Sequence, residues 1–246
     1  SESQNLEVLC FDRPGYNLTD PPASAQHMLQ DTVEIASELT KKLGWAKFEV
    51  VVVSGGTPHG LVFTQKYFDR VTEVREICGL GYIQHPEIKK YFKPMQIFSL
   101  KNLKYAPGFL LKKILTQTKE VKTDQRSRFF EFFYPTSPSD RDAIVEKALA
   151  KTFAATLAEA VIQNASGPKA DSEVFLSDWG KELSHFKTRI HFWHGDEDLV
   201  ISPDVSRVMS SLIPHSEITL IPREGHVSLP LRKTGEILAT RLRNQD

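Results

Sequence analysis

Three short segments of the chain carry side chains that together could perform nucleophilic catalysis. Ser54 stands between an apolar run and two glycines, an acidic turn contains Asp196, Glu197 and Asp198, and His226 lies in a loop nearer the C-terminus. A serine hydroxyl becomes an effective nucleophile when a histidine removes its proton and a carboxylate holds that histidine. The chain order serine, acid, histidine is that of one triad arrangement. The sequence therefore predicts a site of this kind.

Each of these segments directly follows a predicted strand. Residues 48–53 end in four consecutive valines, and a run this β-branched and apolar predicts a strand buried on both faces of a parallel sheet. Residues 190–193 precede the acidic turn, and residues 217–221 precede the histidine loop. Ligands of open α/β sheets bind at the carboxyl ends of the strands. We therefore expect the three segments to meet at one edge of the sheet.

Helices and further strands alternate with these segments. The hydrophobic patterns predict two more strands, over residues 6–11 and 71–78. They predict helices over residues 26–43, 58–68, 203–212 and 234–243. Strands that alternate with helices indicate an α/β fold with a mainly parallel, doubly wound sheet.

Residues 80–186 interrupt the alternation, because they contain no convincing strand. Short amphipathic pieces, an aromatic cluster at residues 129–134 and a long Ala-rich helix over residues 139–164 indicate a helical insertion. The aromatic cluster is interpreted as the packed interior of this insertion, with pocket lining as the alternative. We therefore predict that residues 1–79 and 187–246 form the core and that residues 80–186 form a helical cap.

Composition excludes several classes of protein. The 246 residues are 40% hydrophobic, and 31 basic residues balance 31 acidic ones, which argues against a general nucleic-acid binder. No apolar stretch is long enough to span a membrane. Cys10 and Cys78 lie in apolar runs and predict free thiols in the cytoplasm. His191 and His194 would point to opposite faces of a strand, so we predict no metal site there.

Four stretches resemble the α/β-hydrolase-fold serine hydrolases, an esterase- and lipase-like family. They occur in the family's order: residues 6–20, which contain Asp12-Arg13-Pro14-Gly15, and residues 54–58, 192–198 and 224–226. The resemblance extends from about Leu6 to the C-terminus. It implies an α/β-hydrolase fold with a helical cap and hydrolysis of a small carboxylic ester or related acyl substrate, with no cofactor. Amide, thioester and carbon–carbon hydrolysis occur in the same family.

The resemblance also assigns a role to individual residues. Ser54 would be the nucleophile, His226 the general base and Asp198 the acid that holds the imidazole. Asp198 is preferred to Asp196 and Glu197 because the family places its acid at that position of the turn. Asp196 would brace the turn. The backbone N–H of Gly55 would donate one oxyanion hydrogen bond.

Two departures from the family pattern support a different interpretation. Val52 stands where the family has a small residue, and the loop that supplies the second oxyanion N–H would precede Ser1, together with the first strands of the fold. The alternative is therefore a hydrolase-like binding or receptor protein with impaired catalysis. In either case the expected partner is a small, partly apolar molecule; the sequence predicts no oligomeric state.

Overall fold

Four parallel strands form one sheet in the order β1-β2-β3-β4. The computed structural model describes residues 6–106, 136–145, 155–156 and 158–240. The strands are β1 (Phe48–Val53), β2 (Val71–Ile77), β3 (Arg189–Gly195) and β4 (Ser216–Ile221). The order in the sheet follows the order in the chain, and the prediction of a parallel α/β sheet is confirmed.

Eight helices of the described residues flank or connect these strands. They are α1 (Ala25–Lys42), α2 (Thr57–Lys66), α3 (Pro86–Lys89), α4 (Pro94–Leu103), α5 (Pro138–Val145), α6 (Ser166–Phe175), α7 (Pro203–Leu212) and α8 (Ser228–Ala239). Ser24 caps the start of α1, and Gly44 follows its end with φ of 72°. None of the described helices is long and apolar enough to cross a bilayer.

Helices cover both faces of the sheet. On one face, Phe192 of β3 packs in a cluster with Leu61 of α2 and Met209 of α7. On the other face, Trp193 packs in a cluster with Leu229 of α8. Neighbouring residues of a strand point to opposite faces, so β3 contributes to both clusters.

The two predictions for the N-terminal side of the sheet are wrong. Residues 6–11 form no strand, and the side chains of Leu6 and Val8 are 55% and 70% exposed. β1 has the predicted bounds, but it lies at the edge of the sheet, with Val51 and Val53 about two-fifths exposed. β-Branched composition reports a preference for extended backbone, and it does not report whether both faces of the strand are covered.

The segment between β2 and β3, which we call the insert (residues 78–188), contains α3 to α6 and no strand among its described residues. The predicted single helix over residues 139–164 is wrong in its described part. Residues 160–165 form turns, in which Asn164 and Ala165 have positive φ, and α6 begins after them. Left-handed residues end a helix although the apolar spacing continues. The aromatic cluster at residues 129–134 lies outside the described residues.

Candidate active site

A strained turn presents Ser54 at the end of β1. Ser54 has φ of 51°, a left-handed conformation that costs a non-glycine residue about 1–3 kcal/mol. The chain makes one short turn over Ser54–Gly56 and then enters α2. The Ser54 carbonyl accepts hydrogen bonds from Thr57 Oγ1 (2.9 Å) and from the Leu80 N–H (3.2 Å). A sharp strand-to-helix turn of this kind exposes a serine hydroxyl above the sheet.

Ser54, His226 and Asp198 are hydrogen bonded in a row. Ser54 Oγ lies 2.9 Å from His226 Nε2, and His226 Nδ1 lies 2.8 Å from Asp198 Oδ2. A carboxylate only accepts, so Nδ1–H donates to Asp198 and Nε2 is left to accept the serine hydroxyl. The three residues follow β1, β4 and β3 respectively, which is the meeting point expected from the sequence.

Electrostatics in this row favour transfer of a proton to the histidine. Burial lowers the pKa of His226, but the charge of Asp198 and its hydrogen bond outweigh burial and leave that pKa above its ordinary value. Burial alone would raise the pKa of Asp198, and the neighbouring His226 and His194 hold it well below its usual range. Asp198 is therefore a stable anion beside a histidine that readily becomes an imidazolium.

A second histidine, which the sequence analysis did not place in the site, also contacts Asp198. His194 is fully buried, and its Nε2 lies 3.1 Å from Asp198 Oδ2 while its Nδ1 lies 2.7 Å from Ser206 Oγ. The other oxygen, Asp198 Oδ1, accepts the backbone N–H groups of Val200 and Ile201, each at 2.9 Å. Both carboxylate oxygens are thus fixed. Only the position of His194 before Gly195 at a strand end could have suggested this role.

The other acids of the turn have different partners. Asp196 Oδ1 accepts the backbone N–H of Arg223 at 2.7 Å, so it braces the acidic turn against the histidine loop, as predicted. Glu197 accepts a hydrogen bond from Ser139 Oγ at 3.3 Å. Of the three acids, it is Asp198 that the structure brings to His226.

Glycines allow close packing on both sides of the serine turn. A Cβ atom on Gly55 would lie 2.6 Å from Cζ of Phe175, so this aromatic ring of α6 lies directly against Gly55. A Cβ atom on Gly60 would lie 2.0 Å from a methyl carbon of Val52. The space that a small residue would leave at position 52 is therefore provided by Gly60 on α2.

A buried ionic cluster fixes α6 in this place. Asp171 of α6 accepts hydrogen bonds from Tyr16 OH (2.5 Å) and His59 Nε2 (2.8 Å), and it forms an ion pair with Arg13. Because His59 is committed to Asp171, it is not available as a second base at Ser54. No sequence signal marks Asp171 or Phe175.

One group of described residues has ligand atoms close enough for a metal ion. Atoms of Cys78, His194 and Asp198 lie within 4.8 Å of one another, and all three residues are buried. However, His194 and Asp198 are already hydrogen bonded to each other, and burial raises the pKa of the Cys78 thiol well above its ordinary value. A protonated thiol is a poor metal ligand, so this donor set does not fit a resident metal.

The strained serine turn, the hydrogen-bonded row and the parallel sheet together define a class of protein, the α/β hydrolases. The family model described as "alpha/beta hydrolase fold" matches residues 2–232, and the chain belongs to this family. A comparison with curated proteins finds no match.

Solved structures with different printed activities share this fold. An α/β hydrolase enzyme from a Medee basin deep-sea metagenome library is 15% identical, with a TM-score of 0.67 over 99% of this chain and 84% of that one. The esterase EaEST from Exiguobacterium antarcticum is 17% identical, with a TM-score of 0.62 over 93% and 78%. A bromoperoxidase from Bacillus anthracis is 18% identical, with a TM-score of 0.62 and the same coverage. At these identities the likeness concerns the fold.

Proposed function

We propose that the protein is a serine hydrolase that cleaves a small carboxylic ester or a related acyl substrate. The observation that carries this proposal is the continuous row from Ser54 Oγ to His226 (2.9 Å) and from His226 to Asp198 (2.8 Å). Esterases are among the proteins with this fold, which supports the choice of substrate class.

In the proposed reaction, Ser54 Oγ attacks the acyl carbon and its proton passes to His226 Nε2. Asp198 stabilises the resulting imidazolium. The bond to the leaving alcohol then breaks, and Nε2 returns the proton to the alcohol oxygen. A water molecule next gives its proton to Nε2 and attacks the acyl-enzyme; the acid is released and Ser54 is protonated again. These steps use protein groups and water only.

We further propose that the insert acts as a cap over this site and that the Gly55 N–H stabilises the oxyanion. Phe175 lies against Gly55, so an acyl group that reaches this N–H would pass beside an aromatic ring. This placement supports a partly apolar substrate.

The first test is covalent labelling of the folded protein with a fluorophosphonate, read by intact mass. We expect one adduct, its absence in Ser54→Ala, and its retention in Ser211→Ala, which changes an exposed serine of α7. Heat-denatured protein should not react, because activation requires the folded row. Absence of an adduct on folded protein would contradict the proposal and favour the binding protein.

The alternative of a binding or receptor protein loses one of its supports. Val52 would favour it if its side chain disturbed the serine turn, but Gly60 gives the methyl groups room. The left-handed conformation of Ser54 also argues for catalysis, because strain of this kind persists where function needs it.

A further inference from the structure

A buried carboxylate outside the proposed triad lies next to the loop that carries His226. Asp140 belongs to the first turn of α5, in the insert, and its side chain is fully buried. Its Oδ1 accepts the backbone N–H groups of Val227 and Ser228, each at 2.8 Å, and its Oδ2 accepts that of His226 at 3.1 Å. Three consecutive N–H groups of the histidine loop therefore bond to one side chain of the insert.

These contacts replace a cap that α8 lacks. α8 begins at Ser228, and Val227 at its N-cap position has no side chain that could accept a hydrogen bond. The first N–H groups of a helix need acceptors, and an anion is favourable there because of the helix dipole. Asp140 meets both needs from a different element, so the start of α8 and the backbone of His226 are held by α5.

The approach of Asp140 depends on a glycine next to the histidine. A Cβ atom on Gly225 would lie 2.4 Å from Asp140 Oδ2 and 2.3 Å from Ser137 Oγ. Ser137 in turn fixes Asp140, because its Oγ accepts the Asp140 N–H at 3.1 Å and its own N–H donates to Oδ2 at 3.4 Å. The carboxylate is thus oriented from its own helix before it reaches the loop.

The charge of Asp140 acts on the imidazole as well as on the backbone. Among the described residues, no basic side chain forms an ion pair with Asp140. Asp198, Asp140 and Glu76 all raise the pKa of His226, which burial alone would lower. Burial raises the pKa of Glu76 to about 7, so Glu76 carries little charge in acid, and His194 lies behind Asp198. Asp140 is therefore the charge that supplements Asp198 below neutral pH.

We propose that Asp140 is a positioning residue: it holds the His226 loop from the insert and supplies negative charge that stabilises the imidazolium. This inference rests on the proposed function. Its consequence is that the insert and the general base form one mechanical unit, so a displacement of α5 would also displace His226 from Ser54.

The test compares Asp140→Asn with Asp142→Asn in the full chain. Asp142 is an exposed acid of the same helix, so its variant removes the same charge without touching the loop. We expect Asp140→Asn to lower kcat by about 10²-fold with little change in KM, because a small displacement of a catalytic group has this effect. The acid limb of kcat/KM should move to lower pH, since a negative charge beside His226 is lost. Asp142→Asn should change neither quantity.

Nuclear magnetic resonance titration of the His226 ring separates this inference from the proposed function, because it needs no turnover. If the wild-type protein gives no fluorophosphonate adduct, the proposed function fails, and the ring titration still decides about Asp140. We expect the pKa of His226 to fall in Asp140→Asn and to stay unchanged in Asp142→Asn. A folded Asp140→Asn protein with the wild-type titration and the wild-type kcat overturns the proposal.

A milder variant covers the case in which Asp140→Asn does not fold. Ser137→Ala removes one anchor of the carboxylate and keeps its charge. We expect kcat to fall about threefold, the size of effect typical of a lost N-cap hydrogen bond, and the acid limb to stay in place. An unchanged kcat in this variant would count against positioning through α5.

Discussion

The insert reaches the core through two buried aspartates, and their charges are compensated in different ways. Asp171 bonds to side chains of the core: Tyr16, His59 and Arg13. Asp140 bonds to backbone N–H groups only, in its own first turn and in the histidine loop. One carboxylate therefore neutralises a cation, and the other keeps its charge available to neighbours.

This difference separates a structural anchor from a functional one. Burial would raise the pKa of Asp171, but His59 and Arg13 outweigh burial and hold that pKa below its ordinary value. Asp171 thereby fixes α6 and, at the end of α6, the ring of Phe175 against Gly55. The contact at Asp140 instead fixes the catalytic base. We expect damage to Asp171 to appear first in stability and damage to Asp140 first in kcat.

The largest effect on stability should come from Asp171→Ala. This variant leaves a guanidinium and a buried imidazole without their acceptor, and breaking a buried pair of this kind costs about 3–5 kcal/mol of the free energy of unfolding. We take the lower end, about 3 kcal/mol, because the Arg13 side chain is 26% exposed and can turn to water. Urea unfolding of both proteins measures the difference.

Glu173→Ala is the matched control, because Glu173 is an exposed acid of the same helix, 3.8 Å from Lys104. It should change the free energy of unfolding by less than about 0.5 kcal/mol. If Asp171→Ala were as mild as Glu173→Ala, the contrast between the two aspartates would fail.

Acid should weaken the cluster at Asp171 in two stages. Burial lowers the pKa of His59, so below about pH 6.5 the unfolded chain binds a proton that the folded protein does not, and stability falls. The lowered pKa of Asp171 has the same sign: its contribution is complete above about pH 4 and is lost as pH falls through the folded value. Stability against urea measured from pH 8 to pH 3 should show both stages.

The pH dependence is assigned by variants, because the raised pKa of His226 acts in the opposite direction. His59→Gln should remove the stage below about pH 6.5, and His185→Gln, at an exposed position, should leave it unchanged. A stage that persists in His59→Gln would show that another group causes it.

Local sequence patterns contained the sheet and the proposed triad, since both depend on short apolar runs and on the residues directly after them. The predicted bounds of β1 and of α7 agree with the structure, and Ser54, Asp198 and His226 lie together at the ends of three strands. The edge position of β1 was not predictable, because exposure depends on which elements cover the strand and not on its own residues.

The contacts of the insert were hidden for a related reason. Ser137 and Asp140 have the spacing of an ordinary helix cap, and nothing nearby in the chain shows that the same carboxylate also binds residues 226–228. His194 and Phe175 are likewise defined by partners that are distant in sequence or in another element. Sequence spacing predicts local hydrogen bonds, whereas these residues act through tertiary contacts.

The smallest effect should come from Phe175→Ala, which removes the ring that Asp171 holds in place. The space opened beside Gly55 should favour longer acyl groups, so the ratio of kcat/KM for a longer ester to that for an acetyl ester should rise about tenfold. Phe98→Ala, at an aromatic residue of α4 that is 62% exposed, should leave the ratio unchanged. Asp171→Ala should raise the ratio less than Phe175→Ala does, because it loosens the ring without removing it. A ratio that moves in Asp140→Asn but not in Phe175→Ala would reverse the division of roles between the two aspartates.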